Sequence, residues 1–128
     1  MPRLQITPQV IRSVVIFMWG FHTLSSLFGV LQVYFPGRFQ PAISQAIMTN
    51  VYAGENMKIS ILGGESIYRP MGLTDVPGGS AAAGLYAFVF GLGIFSLSRG
   101  VTWSVAGLIS LPMGLFCIYL SQVRAMLV

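Results

Sequence analysis

Residues 81–120 read AAAGLYAFVFGLGIFSL, then SRG, then VTWSVAGLISLPMGLFCIYL. A hydrocarbon core of roughly 30 Å is crossed at about 1.5 Å per residue, so about 20 mostly apolar residues make a spanning helix. Both runs are uncharged and near that length, and only Ser98-Arg99-Gly100 separates them. They are therefore expected as a tight antiparallel hairpin, with one transmembrane helix at 81–97 and the next at 101–120. Gly84, Gly91 and Ser98 recur at heptad spacing in the first run, and Gly100, Gly107, Gly114 and Ser121 continue the spacing in the second. Lipid tails are as apolar as leucine, so helices associate in a bilayer through close backbone approach, which stripes of small residues permit. The two stripes are expected to face each other or further helices. Pro112 removes one helical hydrogen bond and predicts a kink.

Upstream, the chain is free of charge from Ser13 to Gly37, with a dense apolar centre at Val14–Trp19 and an aromatic close at Tyr34 and Phe35. Its apolar region exceeds the usual 7 to 15 residues of a signal peptide and lacks an obvious small-residue cleavage site, so it reads as an anchor. Composition agrees with three spans. Of 128 residues, 55% are apolar and 8% charged, and the mean hydropathy is +0.77; a soluble domain carries about a quarter charged residues. The expected fold class is an all-α integral membrane protein. It comprises residues 1–36 as an N-terminal tail and first transmembrane helix, a 37–80 outer loop, and the hairpin with the start of a further segment at 81–128.

Charge sets the expected orientation. Arg3, Arg12 and Arg99 fall at one end of such a bundle with no acid among them, whereas Arg38, Lys58 and Arg69 in the connection are balanced by Glu55, Glu65 and Asp75. The positive-inside rule places the first group in the cytoplasm and the 37–80 loop outside. Arg124 breaks the pattern, because it follows the third span at the outer end. Two readings of it stand: a functional cation, or a snorkelling arginine that complements the negative end of the helix dipole. The net charge of +4 comes from scattered residues, never two in a row, so no basic stripe tracks nucleic-acid phosphates.

Within the loop, QPAISQAIMT at 40–49 opens with a proline suited to a first helical position and is expected as a short interfacial helix. Lys58–Leu62 and Glu65–Arg69 are β-prone runs around Gly63-Gly64, a hairpin signal that would set Lys58 opposite Arg69. The segment RPMGLTDVPGGS at 69–80 then leads into the second span. Ser80 is suited to cap that helix, and the amides of Gly78 and Gly79 would point outward with the positive end of its dipole, an arrangement that binds phosphate. The plainer reading is a flexible turn and cap. There is no Walker spacing, and the lone His22, inside the first span, suits packing or an interhelical hydrogen bond and excludes a metal site built on imidazoles. The lone Cys117 excludes an intramolecular disulfide. With every acid in the loop, an intramembrane proton relay has no carboxylate.

The order of these pieces carries a resemblance. A span containing Gly29-Val30-Leu31-Gln32-Val33-Tyr34-Phe35-Pro36 is followed by a loop. Arg69-Pro70-x-Gly72-Leu73 with Pro77 comes next, and the last span ends Leu120-Ser121-Gln122-Val123-Arg124-Ala125. Over most of residues 24–128 this resembles the central part of the O-antigen ligase and Wzy-type O-antigen polymerase superfamily. Such proteins show a G-x-x-Q near the end of one span, an R-x-x-G motif before the next, and a later arginine closing another. Gly78 stands where the family has asparagine, Asp75-Val76 is an unusual insertion, and the loop contains no histidine to act as base.

The resemblance implies a polytopic, metal-independent glycosyltransferase of the bacterial inner membrane. It would transfer a glycan from a polyprenyl pyrophosphate to a sugar hydroxyl at the periplasmic face and need no cofactor. It further implies that Arg69 and Arg124 hold the pyrophosphate, with Gly78, Gly79 and Ser80 as auxiliaries. Family members have many more spans, so the chain is expected to be a segment of a longer enzyme and inactive alone. Its partners would then be the bilayer, the lipid-linked glycan and other transmembrane helices. The alternative is a non-catalytic small membrane protein that assembles through its glycine-rich helix faces; a fragment of a solute transporter is a third reading.

Overall fold

The computed structural model describes residues 7–43, 45, 49, 58–60, 66–74 and 76–121. In chain order the elements are α1 (Pro8–Tyr34), α2 (Pro36–Phe39), β1 (Lys58–Ser60), β2 (Ser66–Tyr68), α3 (Gly79–Leu97) and α4 (Val101–Ser121). The helices α1, α3 and α4 are each long and apolar enough to cross a membrane. Their outward faces suit lipid: Phe17, Ile109 and Tyr119 are all well exposed.

Local chemistry sets the helix ends. Thr7 is extended and Pro8 opens α1, where its missing amide proton is no loss. At the far end the Phe35 amide still donates to the Leu31 carbonyl at 2.8 Å. Pro36 cannot donate the next bond, and the ladder stops there. A single turn, α2, follows at once, one step before the expected interfacial helix. Residues 40–43 are not helical, and most of 44–49 lies outside the described residues. The turn at 98–100 is as short as expected: the Ser98 amide donates to Ile94 at the end of α3, and that of Ser104 to Gly100 at the start of α4. The α4 helix runs through Pro112 as one element.

The glycine stripes of α3 and α4 meet each other. A Cβ on Gly84 would lie 2.7 Å from the Gly114 carbonyl oxygen, and one on Gly107 would lie 2.8 Å from that of Gly91. Backbone thus packs on backbone twice along the hairpin, in the geometry that small residues allow. The α1 helix joins through Gly29, where a Cβ would approach the Ser80 Cβ at 2.7 Å and the Cys117 sulfur at 3.1 Å. Toward the other end Trp19 lies edge-on to Trp103, with ring centroids 6.3 Å apart, and its Nε1 donates to Ser110 Oγ.

The two strands form an antiparallel ribbon with Ser60 opposite Ser66, Ile59 opposite Ile67 and Lys58 opposite Tyr68. This corrects the expected register by one residue, so Lys58 does not face Arg69. The reason is apolar matching. Ile59 and Ile67 are both buried and pack with Val33 of α1 and Leu120 of α4, whereas the shifted pairing would set each isoleucine against a residue of the other face. The ribbon therefore seals the end of the bundle at which α1 and α4 terminate. Arg12 and Arg99 line one cavity at the opposite end.

Candidate functional site

The segment between β2 and α3 docks back onto α1, and one side chain holds it there. Gln32 Oε1 accepts the amides of Met71 at 2.7 Å and Gly72 at 2.9 Å, and its Nε2 donates to the Gly72 carbonyl at 2.8 Å. All three bonds are buried, so water does not compete for them. Two turns earlier on the helix, Ser25 Oγ accepts the Leu73 amide at 3.0 Å. Met71 is 0% and Gln32 2% exposed; the loop is thus inserted among the helices and not draped over them. Two of the three motifs on which the resemblance rests, Gly29-x-x-Gln32 and Arg69-Pro70-x-Gly72, come together in this clamp.

Gly72 is required here on two counts. Its φ of 68° lies in the left-handed region, and a Cβ would fall 2.5 Å from Ser25 Oγ and 2.9 Å from the Ser25 carbonyl oxygen. Gly72→Ala should cost about 1–3 kcal/mol through backbone strain alone, with the contact to α1 adding to it. The check is a melting curve in detergent micelles, and an unchanged midpoint would contradict the docked geometry.

Behind the clamp the loop closes on itself. The Pro70 carbonyl accepts both the Gly78 amide at 3.1 Å and Ser80 Oγ at 2.8 Å, while the Gly79 amide donates to Val76 at 2.9 Å. Thr74 Oγ1 donates to the Met71 carbonyl at 2.6 Å. The α3 helix begins at Gly79 behind Gly78, whose φ is 86°. Ser80 is accordingly inside the first turn and not the cap, and its side chain is fully buried. The Gly78 and Gly79 amides, expected as anion donors, are spent on loop carbonyls. With the Ser80 hydroxyl they hold the loop closed. Cys117 completes the packing by donating to the Ser80 carbonyl at 3.3 Å.

Arg69 stands at the rim of this structure, directly after β2. Its residue is half-buried, and its Nε is out of reach of solvent with no hydrogen-bond partner among the described residues. An unsatisfied buried donor costs about 1–3 kcal/mol. Lys58 lies close by in the ribbon, with Nζ 5.5 Å from the centre of the Tyr68 ring. Gln40 Nε2 donates to the Tyr68 carbonyl at 2.9 Å and ties the segment after α2 to the strand preceding Arg69. Arg124 and the three acids lie outside the described residues. Leu120, four positions before Arg124, packs on the ribbon, so the described part of α4 ends on the same side of the bundle as Arg69.

Two further polar groups sit within the helices. His22 lies against Tyr86, with ring centroids 4.8 Å apart, and near Phe90; among the described residues its buried Nδ1 has no hydrogen-bond partner, and neither has Thr23 Oγ1. The histidine therefore packs, as one of its two expected roles required. Among the described residues no three His, Cys, Asp or Glu approach closely enough to hold a metal. What sequence reasoning missed is the work of Gln32 and Ser25. The available signal was polarity itself, a carboxamide and a Ser25-Ser26 pair in a span without charge, since polar groups at membrane depth are costly unless they are bonded.

No protein-family model, curated protein or solved structure matches the chain.

Proposed function

We propose that the chain is part of a membrane enzyme that handles a polyprenyl-pyrophosphate-linked glycan and transfers it to a sugar hydroxyl on the loop side of the membrane, the periplasmic face by the charge rule. In this reading Arg69 binds the diphosphate and Arg124 is the second cation. The chemistry asks for such groups: the leaving diphosphate gains negative charge as the glycosidic bond breaks, and a guanidinium donates to two phosphate oxygens at once. The observation that carries the reading is the clamp. Gln32 and Gly72 fix the loop backbone against α1, and Arg69 is left at its rim with a buried donor unpaired. A cation on a rigid mount is what pre-organised charge stabilisation requires. Gly78, Gly79 and Ser80 support the mount, since the two glycine amides and the Ser80 hydroxyl already donate within the loop.

The test is surface-polymer assembly in cells whose genomic copy carries Arg69→Lys. Lysine keeps the charge and loses the fork. Removing one donor of this kind lowers turnover by about 10²–10³, so polymer should fall to trace amounts while the protein remains at its normal level in the membrane. Polymer at the unmodified level would remove Arg69 from the phosphate site. The alternative, a small protein docking through its glycine faces, is weakened by one observation: the stripes of α3 and α4 are covered by each other within the hairpin.

A further inference from the structure

The opposite end of the bundle holds a cavity of about 680 Å³ between α1, α3 and the start of α4. Its walls are largely hydrocarbon: Ile11, Val15, Val89 and Ile94 among others, with Trp103 against Trp19 on one side. Gly93 makes the room. A Cβ at that position meets nothing within 4 Å, so the space beside α3 is open where the other side of the same helix is packed tight. Two guanidinium groups, Arg12 from α1 and Arg99 from the turn after α3, line the same cavity, and both residues are exposed. All three carboxylates of the chain, Glu55, Glu65 and Asp75, belong to the connection between α1 and α3. Neither arginine has an acidic neighbour in sequence, and among the described residues no carboxylate lines the cavity.

We infer that this cavity is a binding site for an anionic phospholipid, with one acyl chain between α1 and α3 and the phosphate between Arg12 and Arg99. The volume lies within the range of cavities that enclose a small ligand. The pairing of an apolar slot with cations at its mouth matches a lipid, whose charge and chain are joined in that order. Basic pockets between transmembrane helices recognise anionic headgroups through the same complementarity. A zwitterionic lipid would fill the slot without satisfying both arginines. This site is separate from the Arg69 loop, at the other end of the helices, and its occupant is a resident lipid and not a substrate.

The experiment is native mass spectrometry of the full chain released from detergent micelles. The chain is titrated with phosphatidylglycerol or with phosphatidylcholine of the same acyl composition. The unmodified chain should retain phosphatidylglycerol roughly tenfold or more in preference, as two arginines near a headgroup imply. Arg12→Gln with Arg99→Gln should erase the preference and leave weak binding of both lipids. Gly93→Leu, which fills open space and leaves the packed face alone, should reduce both. Gly20→Leu, also open but outside the cavity, should change neither. Equal retention of the two lipids by the unmodified chain overturns the inference. So does a phosphatidylglycerol preference that survives both the arginine and the Gly93 changes, and so does a lipid-free dimer as the main species.

Discussion

Gln32→Leu should release the loop from the bundle. The substitution keeps the bulk and removes the acceptor of two amides and the donor to one carbonyl, all of them buried. A buried group stripped of its partner costs about 1–3 kcal/mol, and three are stripped together, so a loss of at least about 3 kcal/mol is expected. Detergent-micelle melting measures the total. Amide hydrogen exchange of Met71 and Gly72 reports the cause, since both amides should lose their protection while those of the α3–α4 hairpin keep it. Gln32→Glu offers a graded comparison: the carboxylate still accepts the two amides but sets an oxygen against the Gly72 carbonyl, and it should fall between the two. Should Gln32→Leu melt within about 0.5 kcal/mol of the unmodified chain, a size usual for inconsequential surface changes, the clamp does not hold the loop.

The second large effect belongs to the hairpin. At Gly107 an added Cβ would stand 2.8 Å from the Gly91 carbonyl oxygen and 2.8 Å from the Phe95 nitrogen. These are backbone atoms of a regular helix, which cannot swing aside as a flexible side chain would. Gly107→Leu must therefore push α3 and α4 apart along much of their length, and it should cost more than the roughly 1–3 kcal/mol of ordinary overpacking. Gly93→Leu is the internal control, the same change on the partner helix in open space. Unfolding titrated with a denaturing detergent should separate the two widely. Matching midpoints would mean that the helices do not meet along the glycines.

Much of the architecture was legible from the sequence because length and apolarity settle it. Residues 81–97 and 101–120 have few alternatives to a helical hairpin, and the heptad glycines announced a close contact, although not with which partner. The ribbon was legible as well, since β-prone runs flank Gly63-Gly64. Its register was not, because the glycine pair marks a turn without fixing how many residues the turn takes up. The burial of Ile59 against Ile67 decided it. The limit is clearest at the site. Arg69 was found by its residue type and its place in a motif. Gln32 was quoted in the companion motif, yet its task stayed hidden, because its partners are backbone groups about 40 positions away and backbone groups carry no sequence signature. The same blindness made Gly78 and Gly79 look like free donors; only the fold revealed that Pro70 and Val76 had taken them.

The clamp also has a bearing on how the protein is made. Gln32 is synthesised 39 and 40 residues before the groups that satisfy it. At about 5–20 residues per second, α1 waits roughly 2–8 s with an unpaired carboxamide before Met71 and Gly72 leave the ribosome. Lipid offers that amide nothing. During those seconds the helix is best served by water or by a polar lining of the insertion machinery, so the first segment should be handed to the bilayer late, together with its loop, and not released alone as soon as it emerges.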